Sequence, residues 1–149
     1  MKYYLLLFLA IVIGCTTSPT GRKQLKLIGS GKMASLGDQS YAKIQKEKPL
    51  SRDRRVNNYV KCITNRLLVA MGENPRSWTI RVFRDNSPNA FALPGKNMGI
   101  HTGMIKLAQN QDQLAAVIGH EIGHVIADHG NERLSQSLLL QAGMTAAQL

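Results

Sequence analysis

The stretch that decides the fold is Val117-Ile118-Gly119-His120-Glu121-Ile122-Gly123-His124-Val125-Ile126-Ala127-Asp128-His129. It contains an H-E-x-x-H motif inside an apolar run. On a helix, His120 and His124 have Cβ atoms about 5–6 Å apart, so both rings can reach one metal ion, as in zinc sites. Glu121 lies about 100° around the helix from His120, so its carboxylate can act on water beside the metal. The alternative is a structural helix whose histidines are solvated or hydrogen-bonded.

The N-terminus is typical of an exported protein. Lys2 is followed by a continuous apolar run over residues 5–13 and then by Gly14-Cys15. This run is too short to cross a bilayer, which takes about twenty residues. Residues 12–15 resemble a bacterial lipobox, which predicts that residues 1–14 are a signal peptide and that Cys15 is lipidated. The alternatives are an ordinary signal peptide cut elsewhere and an N-terminal anchor that is never cleaved.

The net charge of +10 lies almost entirely near the predicted lipid anchor. Residues 21–66 carry 12 Lys/Arg and 3 acidic residues, whereas residues 67–149 carry 6 of each. A basic segment beside a membrane is attracted to anionic head groups by about 1 kcal/mol per residue, although a solvated helix face explains the pattern equally well. No nucleic-acid partner is expected, since aromatic residues are not interleaved with the charges. Because Thr16 is not an aspartate, we expect the chain on the outer membrane of a bacterial envelope, facing the periplasm.

The remaining pattern predicts a tether over residues 15–32 and one domain over residues 33–149. Apolar residues at the helical period, followed by alternation, predict helices and then a small sheet. Asn110 is expected to cap the H-E-x-x-H helix, with Gln113 in a capping-box arrangement and Gly130 near its end. A last helix follows from about residue 131. The other predicted elements are helices over 33–48 and 52–71 with Ser51 as a cap, strands over 78–83, 90–93 and 98–102, and a helical turn over 104–108.

Three stretches together resemble peptidase family M48, the gluzincins that include the HtpX-like and CAAX-prenyl proteases. They are residues 20–25, 89–95 and 114–124. The resemblance implies an α+β, zincin-like metalloprotease domain, incomplete in this chain, with helices packed beside a small β-sheet and the H-E-x-x-H motif on a core helix. It also implies specific roles: His120 and His124 bind one Zn²⁺, Glu121 activates the attacking water, and Asn89, Ala90 and Phe91 lie near the substrate cleft.

The resemblance leaves the third zinc ligand open. In the family this ligand is a glutamate several tens of residues beyond the motif, and the sequence ends 25 residues after His124. On a continuous helix His129 points about 180° away from His120, which predicts a helix-end histidine with a local hydrogen bond. Asp128 is predicted to orient a ligating imidazole, or, less favourably, to bind the metal itself. Weaker candidates for the ligand are His101 and Glu132.

We therefore expect a zinc-dependent metalloendopeptidase that acts on unfolded or membrane-associated proteins in envelope protein quality control. Residues 33–149 are expected to form the N-terminal part of its domain. Because two histidines alone hold zinc weakly, this segment by itself is expected to bind the ion poorly. The alternatives are a catalytically incomplete lipoprotein that serves as an assembly factor or holdase for envelope proteins, and a basic membrane-surface module.

Overall fold

Five helices and two small sheets make up residues 15–17 and 21–146, the part of the chain that the computed structural model describes. This α+β architecture agrees with the predicted one. The predicted signal peptide, residues 1–14, lies outside the described residues, as does the side chain of Cys15. The elements are β1 (Cys15–Thr17), β2 (Lys23–Leu25), α1 (Ser30–Glu47), α2 (Arg54–Ala70), a 3-10 turn (Pro75–Ser77), β3 (Thr79–Phe83), β4 (Ala90–Leu93), β5 (Asn97–His101), α3 (Thr102–Leu107), α4 (Gln111–Ile126) and α5 (His129–Ala146).

Side-chain caps decide where α2 and α4 begin. The α2 cap is Asp53, whose carboxylate accepts from the backbone N–H of Arg55 and Val56. The prediction of Ser51 was wrong, because α2 begins at Arg54 and the Ser51 hydroxyl accepts from the N–H of Asp53, which precedes the helix. Asn110 caps α4 as predicted, accepting from Gln113 N–H at 3.0 Å. The Gln113 side chain accepts from the N–H of residue 109, so the expected capping box does not form.

The main sheet has the order β3-β5-β4, with β5 parallel to β3 and antiparallel to β4. Strand β4 is therefore an edge strand. Its residues Ala90 and Ala92 pack on the core beside α4. By strand alternation Phe91 faces the opposite side, where its ring meets Tyr41 of α1 at a centroid distance of 6.3 Å.

Both faces of the sheet are covered. We predicted one buried face on β3, formed by Trp78, Ile80 and Val82, but Phe83 on the other face is also 0% exposed. The reason is α1, which contacts β4 and β5 and sets Tyr41 edge-on against Phe83. The sheet is thus the middle layer between α1 and α4.

Helix α4 is the core helix. Leu114, Ile118 and Ile122 recur on one face and are at most 1% exposed. They pack with buried residues of α2 and of the sheet, and full burial of each such side chain contributes about 1.5–3 kcal/mol. This packing fixes the orientation of α4, so that the side chain of His120 is directed outward and exposed.

Candidate metal centre

The two motif histidines converge on one point. The Nε2 atoms of His120 and His124 are 3.0 Å apart, and the ring planes cross at 80°. Two nitrogens bound to one tetrahedral zinc ion at 2.0–2.1 Å lie about 3.3 Å apart, so the pair fits two ligands of one ion. Within residues 15–17 and 21–146 no group of three or more His, Cys, Asp or Glu side chains is arranged to hold a metal. The described residues thus bring together two candidate ligands, where a catalytic zinc site uses three.

A sharp bend ends α4 directly after the motif. Ala127 is its C-cap, and Asp128 has a φ of 56°, the left-handed region that Asn and Asp adopt more readily than other non-glycine residues. Helix α5 starts at once, at His129. The prediction of a helix that continues towards Gly130 was wrong, and so was the direction that it gave for His129, but the predicted local hydrogen bond of His129 is present.

The bend places His129 against the motif. Its Nδ1 lies 2.6 Å from Nδ1 of His124, so the rings of His120, His124 and His129 form a row. For Nε2 of His124 to bind a metal it must be unprotonated, and the proton of this ring must then sit on Nδ1 and be donated to His129. A ligating histidine commonly donates its other N–H to an acceptor in this way. The contact thus gives His129 the position of such an acceptor.

The N-terminal segment holds the bend in position. Gln24, which is 2% exposed, donates from Nε2 to the carbonyl of Ala127 at 2.9 Å. Lys26 Nζ pairs with Asp128 at 3.1 Å, and Asn131 donates to the Ile28 carbonyl at 2.7 Å. The described part of the predicted tether is thus docked on the α4–α5 corner.

A cleft of about 210 Å³ opens beside the histidines. Glu121 and His124 line it from α4, Arg133 lines it from α5, and residues 92–94 of β4 and its turn form the facing wall. Burial lowers the pKa of His124, and the neighbouring charges of His120 and Arg133 act in the same direction. A lowered pKa keeps this imidazole neutral near pH 7, which is the form that binds a metal.

A comparison with protein-family models gives the family of this chain. The model of peptidase family M48 matches residues 54–149. The chain belongs to peptidase family M48.

The M48 chain has several curated relatives. It is 35% identical over 77 residues to the mitochondrial metalloendopeptidase OMA1 of Schizosaccharomyces pombe. The aligned region covers 52% of this chain and 23% of the relative. It is 31% identical over 111 residues to the putative beta-barrel assembly-enhancing protease of Vibrio cholerae, and this aligned region covers 74% of this chain and 22% of the relative. The beta-barrel assembly-enhancing protease of Escherichia coli is 27% identical over 99 residues, and this aligned region covers 66% of this chain and 20% of the relative. The chain thus spans about a fifth of the length of these relatives.

None of the three cleft-side candidates of the M48 chain lines the cleft: Ala90 and Phe91 lie on β4, and Asn89 precedes this strand. Asn89 accepts from His101 N–H at 2.9 Å, and Phe91 faces α1. From this part of the chain the cleft is lined by Ala92 and Leu93, at the other end of β4, and by Pro94 of the following turn. Successive side chains of a strand point to opposite faces of the sheet, so the sequence contains the information that Phe91 and Ala92 lie on different faces.

The other predicted ligands of the M48 chain have different partners. The Asp128 carboxylate pairs with Lys26, and among the described residues it makes no hydrogen bond to His120 or His124. His101 is buried on the α1 side of the sheet, with Nδ1 2.8 Å from Ser87 Oγ. Glu132 pairs with Arg22 at 2.5 Å. The residue at Nδ1 of His124 is His129. The sequence alone predicted this histidine on the side of the helix opposite His120.

Loss of the His129 ring should weaken zinc binding. We expect His129→Ala, made in the natural full-length protein, to reduce Zn²⁺ affinity by about 10–100-fold, because the Nδ1 proton of His124 loses its acceptor. Competition with a chromophoric chelator measures this change. Gln136→Ala is the matched control, since Gln136 is an exposed residue of the same helix. Equal affinities in the two variants would show that His129 does not orient the ligand.

Proposed function

We propose that this M48 chain carries two zinc ligands and the general base of a zinc-dependent metalloendopeptidase. The observation that supports this most directly is the convergence of His120 Nε2 and His124 Nε2 at 3.0 Å, with Glu121 on the wall of the adjoining cleft. Both histidines would hold the ion through Nε2. Bound zinc polarises a peptide carbonyl and lowers the pKa of a water molecule towards 7.

Glu121 is the proton carrier in this proposal. Its side chain is half-buried and shares the cleft with His124, so it faces the place where water and substrate meet. The carboxylate takes a proton from the attacking water and returns it to the leaving amine, which is the general base and then the general acid role. His124 keeps its proton on Nδ1, directed at His129.

The shape of the cleft favours an extended substrate. Its outer wall is residues 92–94, and β4 is an edge strand. An extended peptide can add to such an edge through backbone hydrogen bonds. Folded domains rarely offer a free extended segment, so we propose unfolded or partly unfolded proteins as substrates.

We also propose that the protein works in the bacterial envelope, in protein quality control on the outer membrane, held there by a lipid on Cys15. Two of the relatives are named for enhancing beta-barrel assembly. Ten of the twelve basic residues in 21–66 are exposed, which supports attraction to a membrane surface and to membrane-associated substrates. No described helix has both the length and the apolar character to cross a bilayer.

Metal removal tests the proposal. Cleavage of unfolded casein by the natural full-length protein is expected to stop when a chelator removes zinc and to return when Zn²⁺, but not Mg²⁺, is added back, since Mg²⁺ prefers oxygen ligands to imidazole. Metal content is measured by atomic emission on the same samples. Undiminished cleavage by the metal-free protein would exclude zinc-dependent hydrolysis.

A second candidate is a holdase or assembly factor that binds envelope proteins without cutting them. The observation in its favour is the exposed apolar surface of α5. Within residues 129–144, four large apolar side chains are at least 43% exposed: Leu138, Leu139, Leu140 and Met144. Such a surface suits contact with unfolded chains.

A further inference from the structure

An arginine side chain of the cleft is unpaired within the part of the chain that the structure describes. Arg133 of α5 is exposed and lines the cleft together with Glu121 and His124. Within the described residues Arg133 makes neither an ion pair nor a hydrogen bond. Among the described residues the guanidinium therefore binds no carboxylate, and the Glu121 carboxylate that shares the cleft forms no ion pair with it.

The carboxylates closest to Arg133 along α5 and the bend are already paired. Glu132, the preceding residue, binds Arg22 at 2.5 Å. Asp128, which shares the cleft, pairs with Lys26 at 3.1 Å. The docked N-terminal segment thus pairs with these two acids. Glu121, the other carboxylate of the cleft, makes no ion pair or hydrogen bond to Arg133 among the described residues, so the guanidinium is available to a ligand.

The guanidinium group of Arg133 favours a carboxylate as its ligand. A guanidinium presents a planar fork of N–H donors that matches a carboxylate with two parallel hydrogen bonds. The facing wall is apolar, formed by Ala92, Leu93 and Pro94, so it offers no competing acceptor side chain. An extended peptide lying along that wall brings one of its own groups to Arg133.

We propose that Arg133 determines specificity by binding a carboxylate of the substrate peptide, supplied by an acidic side chain or by the C-terminus. The inference rests on the proposed function, since it needs a peptide in the cleft. It adds a charge preference that the two histidines and Glu121 do not provide.

Peptide binding tests the inference without turnover. The Glu121→Gln variant of the natural full-length protein is used as background, and binding of fluorescent decapeptides is measured by anisotropy. Three kinds of probe are compared: a neutral peptide with an amidated C-terminus, a set of the same peptide with Asp placed in turn at each position, and the neutral peptide with a free C-terminal carboxylate. Whichever probe binds more tightly than the neutral amide identifies the source of the carboxylate.

Arg133→Gln is then added to this background. It is expected to weaken binding of the preferred carboxylate peptide by about 10-fold or more, and binding of the neutral amide by less than about 2-fold. Arg133→Lys should restore part of the difference, because it keeps the charge and loses the fork. The matched control is Arg76→Gln, an exposed arginine on another surface, which should leave all three affinities unchanged.

Two results would overturn the inference: equal affinity for acidic and neutral peptides before any change at Arg133, and a preference that persists in Arg133→Gln. Circular dichroism shows that each variant is folded. The proposed function fails separately, if wild-type protein with zinc bound cleaves none of these peptides and no casein. If the protein cleaves peptides and keeps its charge preference in Arg133→Gln, the proposed function stands and only the role proposed for Arg133 fails.

Discussion

Glu121→Gln is expected to lower peptide-bond hydrolysis by about 100- to 10,000-fold, the usual range for a lost general base. Glutamine has nearly the same shape as glutamate, so α4 keeps its packing, but the amide cannot take a proton from water. His120 and His124 are unchanged, so Zn²⁺ binding should be retained. The measurement is kcat on a quenched-fluorescence peptide in the natural full-length protein, with zinc content determined in parallel.

The matched control is Asp112→Asn, the same carboxylate-to-amide change in the exposed first turn of α4. It should alter kcat by less than about 2-fold, because it removes only a surface charge near the helix N-terminus. Activity of Glu121→Gln equal to that of this control would remove Glu121 from the mechanism. Prevention of aggregation of unfolded envelope proteins by the Glu121→Gln variant would favour the holdase candidate, since this variant cannot cleave them.

Gly37→Ala is expected to destabilise the protein by about 1–3 kcal/mol, although alanine in place of glycine normally stabilises a helix by up to about 1 kcal/mol. A Cβ on Gly37 would lie 1.9 Å from the carbonyl oxygen of Pro94 and 2.6 Å from its carbonyl carbon. These are backbone atoms of the β4–β5 turn, which cannot rotate away as a side chain does. Helix α1 must therefore move off the turn, and the free energy of unfolding measured in urea should fall.

Gly31→Ala is the control on the same helix, since a Cβ there has no neighbour within 4 Å. It should leave stability unchanged or raise it slightly. Because Pro94 also lines the cleft, Gly37→Ala is expected to weaken peptide binding as well. Equal stability in the two variants would mean that α1 does not press on the turn.

The local pattern of the sequence was sufficient to predict the elements around the site. The period of the apolar residues in 114–125 predicted a core helix, and Leu114, Ile118 and Ile122 are indeed among its buried residues. Alternation and turn residues predicted β4 and β5 to within one residue at their ends. These features depend on neighbours in the chain, which a single sequence displays.

The bend at Asp128 could not be predicted in the same way. Nothing in Ala127-Asp128-His129 forbids another helical turn, and aspartate adopts the left-handed conformation only at some cost. The contacts that hold the bend come from Gln24 and Lys26, about a hundred positions earlier in the chain. The burial of Phe83 has a similar origin, because it depends on α1 lying across the sheet.

The docking of the N-terminal segment also has a consequence for the order of folding. Its hydrogen bonds to the α4–α5 corner join residues separated by 103 to 110 positions. Closing a chain segment of that length carries a larger entropic cost than closing a hairpin, and contacts of high sequence separation form slowly. The β4–β5 hairpin and the α4 core need no such closure. We therefore expect His129 to join the imidazoles of His120 and His124 late, after the sheet has formed, when residues 22–28 dock on the α4–α5 corner.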